Sequence, residues 1–165
     1  MTAFSIWVDA DSCPARVRAH IMYRSNSAAI PVQFVANHVI PLDKPSPLIT
    51  MIVCQQEAQA ADDYIFAHCN KHDIVITRDI PFAARIVEKG NIVMNDRGTL
   101  FTKENIGERL SARNFSLNLA ELGLADNKRK SSYSEKDFRK FADCFEQAVQ
   151  KLLIIDAYGE PKTGL

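Results

Sequence analysis

Short apolar runs alternate with longer mixed stretches along most of the chain. Five of these runs are rich in β-branched and aromatic residues and stop at polar residues or glycine, which is the pattern of short buried strands. They are FSIWV, IPVQFVA, MIVC, DIVIT and NIVM, at residues 4–8, 30–36, 51–54, 73–77 and 91–94. The segment VIPLDKPSPLIT before the third run is predicted to be an irregular loop, because its prolines cannot donate ladder hydrogen bonds.

The stretches between the apolar runs have the spacing of amphipathic helices. Residues 11–25, 57–72 and 81–90 are predicted helices that each follow a strand, and Gly90 is expected to end the third of them. Residues 102–113 also predict a helix, and residues 116–124 a less regular one. Strands and helices therefore alternate over the first two thirds of the chain.

The C-terminal third has a different character. The segment ADNKRKSS at residues 125–132 has one apolar residue and three consecutive cations, so it predicts a loop. Residues 134–153 predict a strong amphipathic helix with Ser134 as its cap. Its apolar stripe consists of Phe138, Phe141, Phe145, Ala148 and Leu152.

This order of elements predicts an α/β domain. Strands that alternate with helices along the chain favour a largely parallel sheet, here of about five strands, with helices on both faces. At 165 residues the chain is long enough for one domain with a substantial core. We expect a single domain over residues 1–153 and a C-terminal tail over residues 154–165.

Composition limits the function without changing this fold prediction. The sequence is 47% hydrophobic and 24% charged, and 20 basic residues balance 20 acidic ones. The whole molecule therefore has no electrostatic preference for nucleic acid or membrane. The longest apolar runs fall far short of the roughly 20 residues that span a bilayer, and the first residues lack the pattern of a signal peptide.

The cysteines point to a reduced protein. Cys13, Cys54, Cys69 and Cys144 are widely spaced and include no C-x-x-C pair, which argues against a structural zinc site and against a disulfide framework. We therefore expect a reduced, cytoplasmic, single-domain protein.

Aspartates collect around the ends of the predicted strands. Asp9 and Asp11 follow the first strand and Asp79 follows the fourth, while the helix before the fourth strand contains Asp62 and Asp63. Sites in an open parallel sheet form beyond the carboxyl ends of the strands. Acids from separate stretches are therefore expected to meet at one edge of the sheet.

A divalent cation would explain why carboxylates gather there. Packed carboxylates raise one another's pKa unless a cation neutralises them, and hard oxygen ligands select Mg²⁺ or Mn²⁺. Such an ion activates water and stabilises a phosphodiester transition state. Asp9, Asp11, Asp62 and Asp79 are the predicted catalytic ligands. Asp62 is preferred over Asp63 because adjacent helical residues point about 100° apart.

Simpler roles exist for several of these residues. Asp11 or Ser12 could cap the helix that starts near Pro14. Cys13 is interpreted as a structural cysteine. His68 and His72 have the i, i+4 spacing of metal ligands but lack the acid that a zinc hydrolase places beside its first histidine.

Cations near the acids predict phosphate contacts. Arg16, Arg78 and Arg97 are expected near the acidic edge, and the sequence KRK at residues 128–130 is a further basic segment. Arginine beside a metal site suits a phosphate backbone. Arg78 and Arg97 are the predicted substrate-phosphate residues.

Several blocks of this sequence resemble the YaiI/YqxD family of uncharacterised bacterial proteins. They are VDADSCP, ANHVIP, AADDYI, DIVITRDIPFAARIVEKG, NDRGTLFTKENIGERL and SEKDFRKFADCF, and together they extend over residues 6–152. The resemblance implies a three-layer PIN-like nuclease fold in which acids at the sheet edge bind Mg²⁺ or Mn²⁺ and RNA is cut. The residues that match the family's acids are Asp9, Asp11, Asp62, Asp63 and Asp79.

The sequence departs from the family pattern at three places. The family's helix motif G-x-D-A-A-D is EAQAAD here, with Glu57 and Gln59 in place of the glycine and an acid. ADNKRK stands where T-G-G-P is usual, and Asp96 stands where proline is common. The missing acid at Gln59 is expected to weaken the metal cluster unless Asp63 or Asp96 compensates.

Two other functions compete with a metal-dependent ribonuclease. The sequence VDADSC resembles the D-x-D motif of a phosphatase, with Asp9 as covalent nucleophile and Asp11 as general acid. The direct passage into a helix after Pro14 disfavours this alternative. A non-catalytic RNA-binding or regulatory domain is the third hypothesis, and Gln59 is the residue that favours it.

Overall fold

The computed structural model describes residues 1–124 and 132–162. The predicted loop at residues 125–132, with its KRK sequence, lies outside the described residues except for its last position. The elements, in chain order, are β1 (Ile6–Asp9), α1 (Ala15–Ala28), β2 (Val32–Ala36), β3 (Ile49–Val53), α2 (Ala60–His68), β4 (Ile74–Ile76), α3 (Ile80–Lys89), β5 (Ile92–Met94), β6 (Leu100–Phe101), α4 (Ile106–Glu121) and α5 (Glu135–Tyr158).

The strands form one sheet in the order β3-β2-β1-β4-β5-β6. All neighbouring pairs are parallel except β5 and β6. The chain winds outward from β1 in one direction through β2 and β3, and in the other direction through β4 and β5. The strand order therefore reverses between β1 and β4, and a crevice forms at such a point beyond the carboxyl ends of the strands.

Helices cover both faces of the sheet, as predicted. Alternate strand residues point to opposite faces, so Ile6 and Val8 pack with α1 and α5 while Trp7 packs with α2 and α3. The first layer is centred on Phe141 and Phe145 of α5, whose rings stack 5.4 Å apart. The result is a three-layer α/β domain, consistent with a PIN-like arrangement.

The structure differs from the sequence predictions in a few elements. A sixth strand, β6, pairs antiparallel with β5, and its length of two residues is too short to leave a periodic pattern. The two predicted segments around Arg113 form the single helix α4. Helix α5 continues to Tyr158, so residues 154–158 of the expected tail are helical.

Helix caps agree with the sequence in part. Ser134 caps α5 in a full capping box with Asp137, and Gly90 ends α3 with a left-handed φ of 98°. The expected cap of α1 is wrong, because Pro14 precedes the helix and no side chain caps it. Among the described helices, none is long and apolar enough to cross a membrane.

Gly98 is required by a close contact between the β5–β6 turn and α5. Its φ is +79°, and a Cβ there would overlap the backbone carbonyl group of Lys140. We expect Gly98→Ala to lower the free energy of unfolding by about 3 kcal/mol, since overpacking and a left-handed φ both cost energy. Urea unfolding measures this change.

Gly107→Ala is the matched control for that substitution. Gly107 lies in α4, and apart from its chain neighbours and the backbone of its own helix no described atom lies within 4 Å of an added Cβ. Alanine there should leave stability unchanged or raise it by up to about 1 kcal/mol. Equal effects of the two substitutions would contradict the close contact at Gly98.

Candidate active site

A cavity of about 510 Å³ opens at the carboxyl edge of the sheet, where the strand order reverses between β1 and β4. Side chains from β1, the loop after β2, the start of α2, the β4–α3 connection and α4 contribute to its wall. The residues that line it are Asp9, Asp11, Ser12, Asn37, Gln59, Ala61, Asp62, Arg78, Asp79, Ile80 and Arg113. The structure thus brings together the four predicted catalytic aspartates.

Thr77 connects the ends of β1 and β4. Its hydroxyl donates a hydrogen bond to Oδ2 of Asp9 at 3.0 Å and accepts one from the backbone N–H of Asp79, also at 3.0 Å. The Asp79 carboxylate in turn accepts from the backbone N–H of Phe82 and caps α3. These contacts fix Asp9 and Asp79 at the mouth of the crevice, and Thr77 itself is buried.

Asp9 and Asp62 carry negative charge in a poorly solvated place. Burial raises the pKa of Asp9 to about 6, with the charges of Asp11 and Asp79 adding to the rise and the Thr77 hydrogen bond opposing it. Burial also raises the pKa of Asp62 to about 7, supported by the charges of Asp9 and Asp79 and by a hydrogen bond to the Asp79 carboxyl. Asp9, Asp62 and Asp79 therefore form one electrostatically coupled group.

Asp11 is held by the loop that follows β2. Its two carboxylate oxygens each accept from the backbone N–H of Asn37 at 3.2 Å, and Nδ1 of His38 lies 3.1 Å from Oδ1. Asp11 therefore lines the cavity and connects the end of β1 to the loop between β2 and β3.

The carboxylate oxygens of the cavity are the type of ligand that divalent cations prefer. Asp9, Asp11, Asp62 and Asp79 offer the hard oxygens that Mg²⁺ and Mn²⁺ take. Burial is the main cause of the raised pKa values of Asp9 and Asp62, and repulsion from neighbouring carboxylates, which a cation would relieve, adds to it. Within residues 1–124 and 132–162, however, no three His, Cys, Asp or Glu side chains stand close enough to form a ready-made metal site. Cation binding therefore requires these side chains to rotate toward a common point.

The coupled acids predict how stability depends on pH in the metal-free protein. The pKa of Asp9 is raised from 3.8 to about 6 and that of Asp62 from 3.8 to about 7. Between pH 3.8 and these raised values, the folded protein therefore binds more protons than the unfolded chain. Stability must then fall as pH rises through this interval. One pKa unit corresponds to about 1.4 kcal/mol, so we expect a gain of about 2–4 kcal/mol between pH 8 and pH 5.

Thermal melts in EDTA at pH 8, 6.5 and 5 test this dependence. The melting temperature should rise toward pH 5. At lower pH the trend should reverse, because carboxylates such as Asp137, whose pKa is lowered by the backbone N–H of Ser134, then lose their favourable contacts. A melting temperature that is constant or falls between pH 8 and pH 5 would contradict the coupling.

Asp63 lies outside the cavity, which corrects the ligand role implied by the family resemblance. It follows Asp62 on α2 but points to the solvent, and its carboxylate pairs with Arg85 at 3.0 Å. Its side chain is 63% exposed, whereas Asp62 is 8% exposed. The preference for Asp62 over Asp63 from helix geometry agrees with this placement.

Asp96 and Arg97, after β5, also lie outside the cavity. Asp96 is buried and paired with Arg78, which donates to its Oδ2 through Nε at 2.7 Å. Arg97 pairs with Asp137 of α5 at 3.3 Å, which corrects its expected position beside the substrate phosphate. Neither Asp63 nor Asp96 therefore supplies the acid that Gln59 lacks.

Asn37 and Arg113 line the cavity although the sequence did not predict them there, and Gln59 has an unexpected backbone conformation. Asn37 follows β2 at the same sheet edge, so the rule that located Asp9 could have located it as well. Gln59 precedes α2 with a φ of 73°, a left-handed conformation that is costly for a residue with a Cβ. Arg113 comes from α4, which is distant in sequence and leaves no local signal.

The other predicted residues are structural. Arg16 pairs with Glu135 of α5. All four cysteines are free, and burial raises the pKa of Cys13 to about 12, as suits a structural thiol. His68 contacts the carbonyl of Tyr64, and His72 lies 3.1 Å from Glu160, so the two histidines have separate partners.

Comparison with known proteins gives one family. The sequence model described as "Uncharacterized BCR, YaiI/YqxD family" matches residues 7–151. Proteins called UPF0178 protein are similar over nearly their whole length. The one from Treponema pallidum is 44% identical over 97% of this chain and 89% of its own, and the one from Treponema denticola is 44% identical over 90% and 93%. The one from Geobacter metallireducens is 39% identical over 90% and 94%. No solved structure is significantly similar to the chain.

Proposed function

The chain belongs to the YaiI/YqxD family of uncharacterised proteins, and we propose that it is a metal-dependent phosphodiesterase that cleaves RNA. The observation that carries this proposal is the cavity at the strand-order reversal, which four aspartates from three separate parts of the chain line together with Arg78 and Arg113. A cavity with this many carboxylates can hold the scissile phosphate itself only if a cation mediates between that phosphate and the carboxylates.

The carboxylates provide the cation site. When bound to them, Mg²⁺ or Mn²⁺ would activate water for attack and offset the charge that develops on the phosphodiester. Thr77 fixes the Asp9 carboxylate through its hydroxyl, and the helix cap fixes Asp79. These contacts hold Asp9 and Asp79 at the wall of the cavity, from which their carboxylates would rotate toward a bound cation.

The arginines of the wall provide phosphate contacts. Arg78 is held in place by buried Asp96, so its guanidinium needs no reordering when an anion enters. Arg113 reaches the cavity from α4. Together they place positive charge beside the acids, which is the arrangement expected for a phosphodiester whose oxygens contact both a cation and the protein.

A non-catalytic RNA-binding domain is the second candidate. It is favoured by Gln59, which lines the cavity where the family resemblance implies an acid, and by the separation of the carboxylates noted above. The D-x-D phosphatase is disfavoured, because α1 begins at Ala15, directly after Pro14, and leaves no inserted segment after Asp11.

RNA cleavage assays separate the two candidates. A short single-stranded RNA should be cleaved in Mn²⁺ and left intact in EDTA, and Asp9→Asn should abolish the cleavage. Asp63→Asn, which changes an acid outside the cavity, should cleave like the wild type. Intact RNA with wild-type protein in Mn²⁺, or equal cleavage by the Asp9 variant, would contradict the proposed activity.

A further inference from the structure

A second cavity adjoins the acidic one. It has a volume of about 420 Å³, lies between the start of α3 and the inner face of α4, and shares Ile80 and Arg113 with the acidic cavity. Arg109 and Glu108 also line it. We call this cavity the α4 groove. The two cavities are adjacent, because Ile80 and Arg113 belong to both walls.

The arginines of the α4 groove differ from the other arginines of the protein. Within the described part of the chain, Arg109 and Arg113 form no ion pair or hydrogen bond through their side chains. Each remaining described arginine has a carboxylate or carbonyl partner: Arg16 with Glu135, Arg18 with Cys13, Arg24 with Glu146, Arg78 with Asp96, Arg85 with Asp63, Arg97 with Asp137 and Arg139 with Glu135. The two arginines without such a partner among the described residues thus lie in one groove, next to the acidic cavity.

Their spacing places both charges on one face of the helix. Arg109 and Arg113 are four residues apart, which separates them by roughly 6 Å along the axis of α4. Like charges at this spacing destabilise a helix. Glu108 also lines the groove, and among the described residues it pairs with neither arginine. An anionic ligand that contacts both guanidinium groups would offset this repulsion.

We infer that the α4 groove binds the phosphates that flank the scissile bond of a single-stranded nucleic acid. This inference rests on the proposed phosphodiesterase function, because the acidic cavity fixes where the scissile phosphate lies. A nucleic-acid strand that leaves that cavity along α4 meets Arg113 and then Arg109. A groove that follows a sugar-phosphate backbone needs cations in such a row.

The burial of Asp62 favours a single strand. Asp62 lines the acidic cavity and is only 8% exposed, so a phosphate must enter the cavity to approach it, and the flexible backbone of an unpaired strand does this more readily than the backbone of a base-paired duplex. The two cavities, of about 510 and 420 Å³, each fall in the size range of a site for one small ligand. Each cavity therefore has a size that suits one nucleotide, and the two together suit consecutive nucleotides of an unpaired strand.

Fluorescence anisotropy tests the groove without requiring catalysis. The probe is a fluorescein-labelled oligouridylate of eight nucleotides, titrated in EDTA at several salt concentrations. The variant is Arg109→Gln/Arg113→Gln, and the matched control is Arg85→Gln/Arg139→Gln, two exposed arginines outside both cavities. The acidic cavity is the same in the wild type, the groove variant and the control. Repulsion between its carboxylates and the probe therefore lowers the three affinities equally and does not affect their comparison.

Loss of two phosphate contacts has a defined signature. Each contact to a single strand contributes about 0.7 to the slope of log K against log[salt], so the slope should fall by about 1.4 and affinity at 0.1 M salt by roughly 20-fold in the groove variant. The control should bind like the wild type. An unchanged slope and affinity in the groove variant, or no binding by the wild type, would overturn the inference.

The same experiment distinguishes this inference from the proposed activity and from other ligands. If the groove variant has a reduced salt slope but the wild type does not cleave RNA in Mn²⁺, the phosphate-binding role of the groove is supported and the proposed activity is rejected. If the wild type cleaves RNA but the slope of the groove variant is unchanged, the activity is supported and the role of the groove is rejected. Competition by an equal length of duplex as strong as that by the unlabelled single strand would overturn the single-strand assignment. Displacement of the probe by a glutamate oligopeptide at concentrations as low as those needed of unlabelled oligouridylate would overturn the nucleic-acid assignment.

Discussion

We expect Asp62→Asn to abolish RNA cleavage while it stabilises the metal-free protein. The charge of Asp62 is buried beside Asp9 and Asp79, and its pKa of about 7 shows that ionisation is unfavourable there. Asparagine keeps the shape and removes the charge, so the free energy of unfolding in EDTA at pH 8 should rise by about 2 kcal/mol. Cleavage in Mn²⁺ should fall by at least about 100-fold, because loss of a neighbour of the metal ligands alone costs 10–100-fold.

Asp63→Asn is the adjacent control. Asp63 lies on the same helix, is exposed and pairs only with Arg85 among the described residues, so its replacement should change stability by less than about 1 kcal/mol and leave cleavage intact. Urea unfolding and gel-resolved cleavage measure both properties. Destabilisation of the metal-free protein by Asp62→Asn would show that the carboxylates do not repel one another as the structure indicates.

Arg78→Ala is expected to have the second large effect. Asp96 is 3% exposed, and Arg78 is its ion-pair partner. Removal of the guanidinium leaves a buried, uncompensated carboxylate, so unfolding should become easier by about 3 kcal/mol. Because Arg78 also lines the cavity, cleavage by the variant should be lost even at temperatures where it remains folded.

A second substitution separates these two roles of Arg78. In Arg78→Ala/Asp96→Asn the buried charge is gone, so most of the lost stability should return while cleavage stays low. Arg85→Ala breaks an exposed pair and should cost less than about 1 kcal/mol. A double variant as unstable as Arg78→Ala would show that the ion pair with Asp96 is not the source of the destabilisation.

The sequence was sufficient to predict the sheet and the acids at its edge. The strands that carry Asp9 and precede Asp79 are continuous apolar runs, typical of parallel strands buried on both faces, and the position of functional residues after such strands follows from topology. Helix geometry alone separated Asp62 from Asp63. These inferences succeeded because they depend on local pattern and on one rule of parallel sheets.

Long-range contacts were beyond such reasoning. Arg97 follows β5 at the same edge as Asp79, but the partner it meets, Asp137, lies on a helix far along the chain. Arg113 belongs to α4, a helix that buries no residue and so has no clear apolar face to orient it. Which arginine enters the cavity is therefore decided by tertiary packing, which no local pattern records.

Calorimetric titration of Mn²⁺ into the metal-free protein tests the central claim most directly. At pH 8 Asp9 and Asp62 are ionised, so protons compete least with the cation. The account predicts saturable binding by the wild type and by Asp63→Asn, and none by Asp9→Asn/Asp62→Asn. Absence of saturable binding by the wild type at millimolar Mn²⁺, or equal binding by the double variant, would contradict a metal site at these carboxylates.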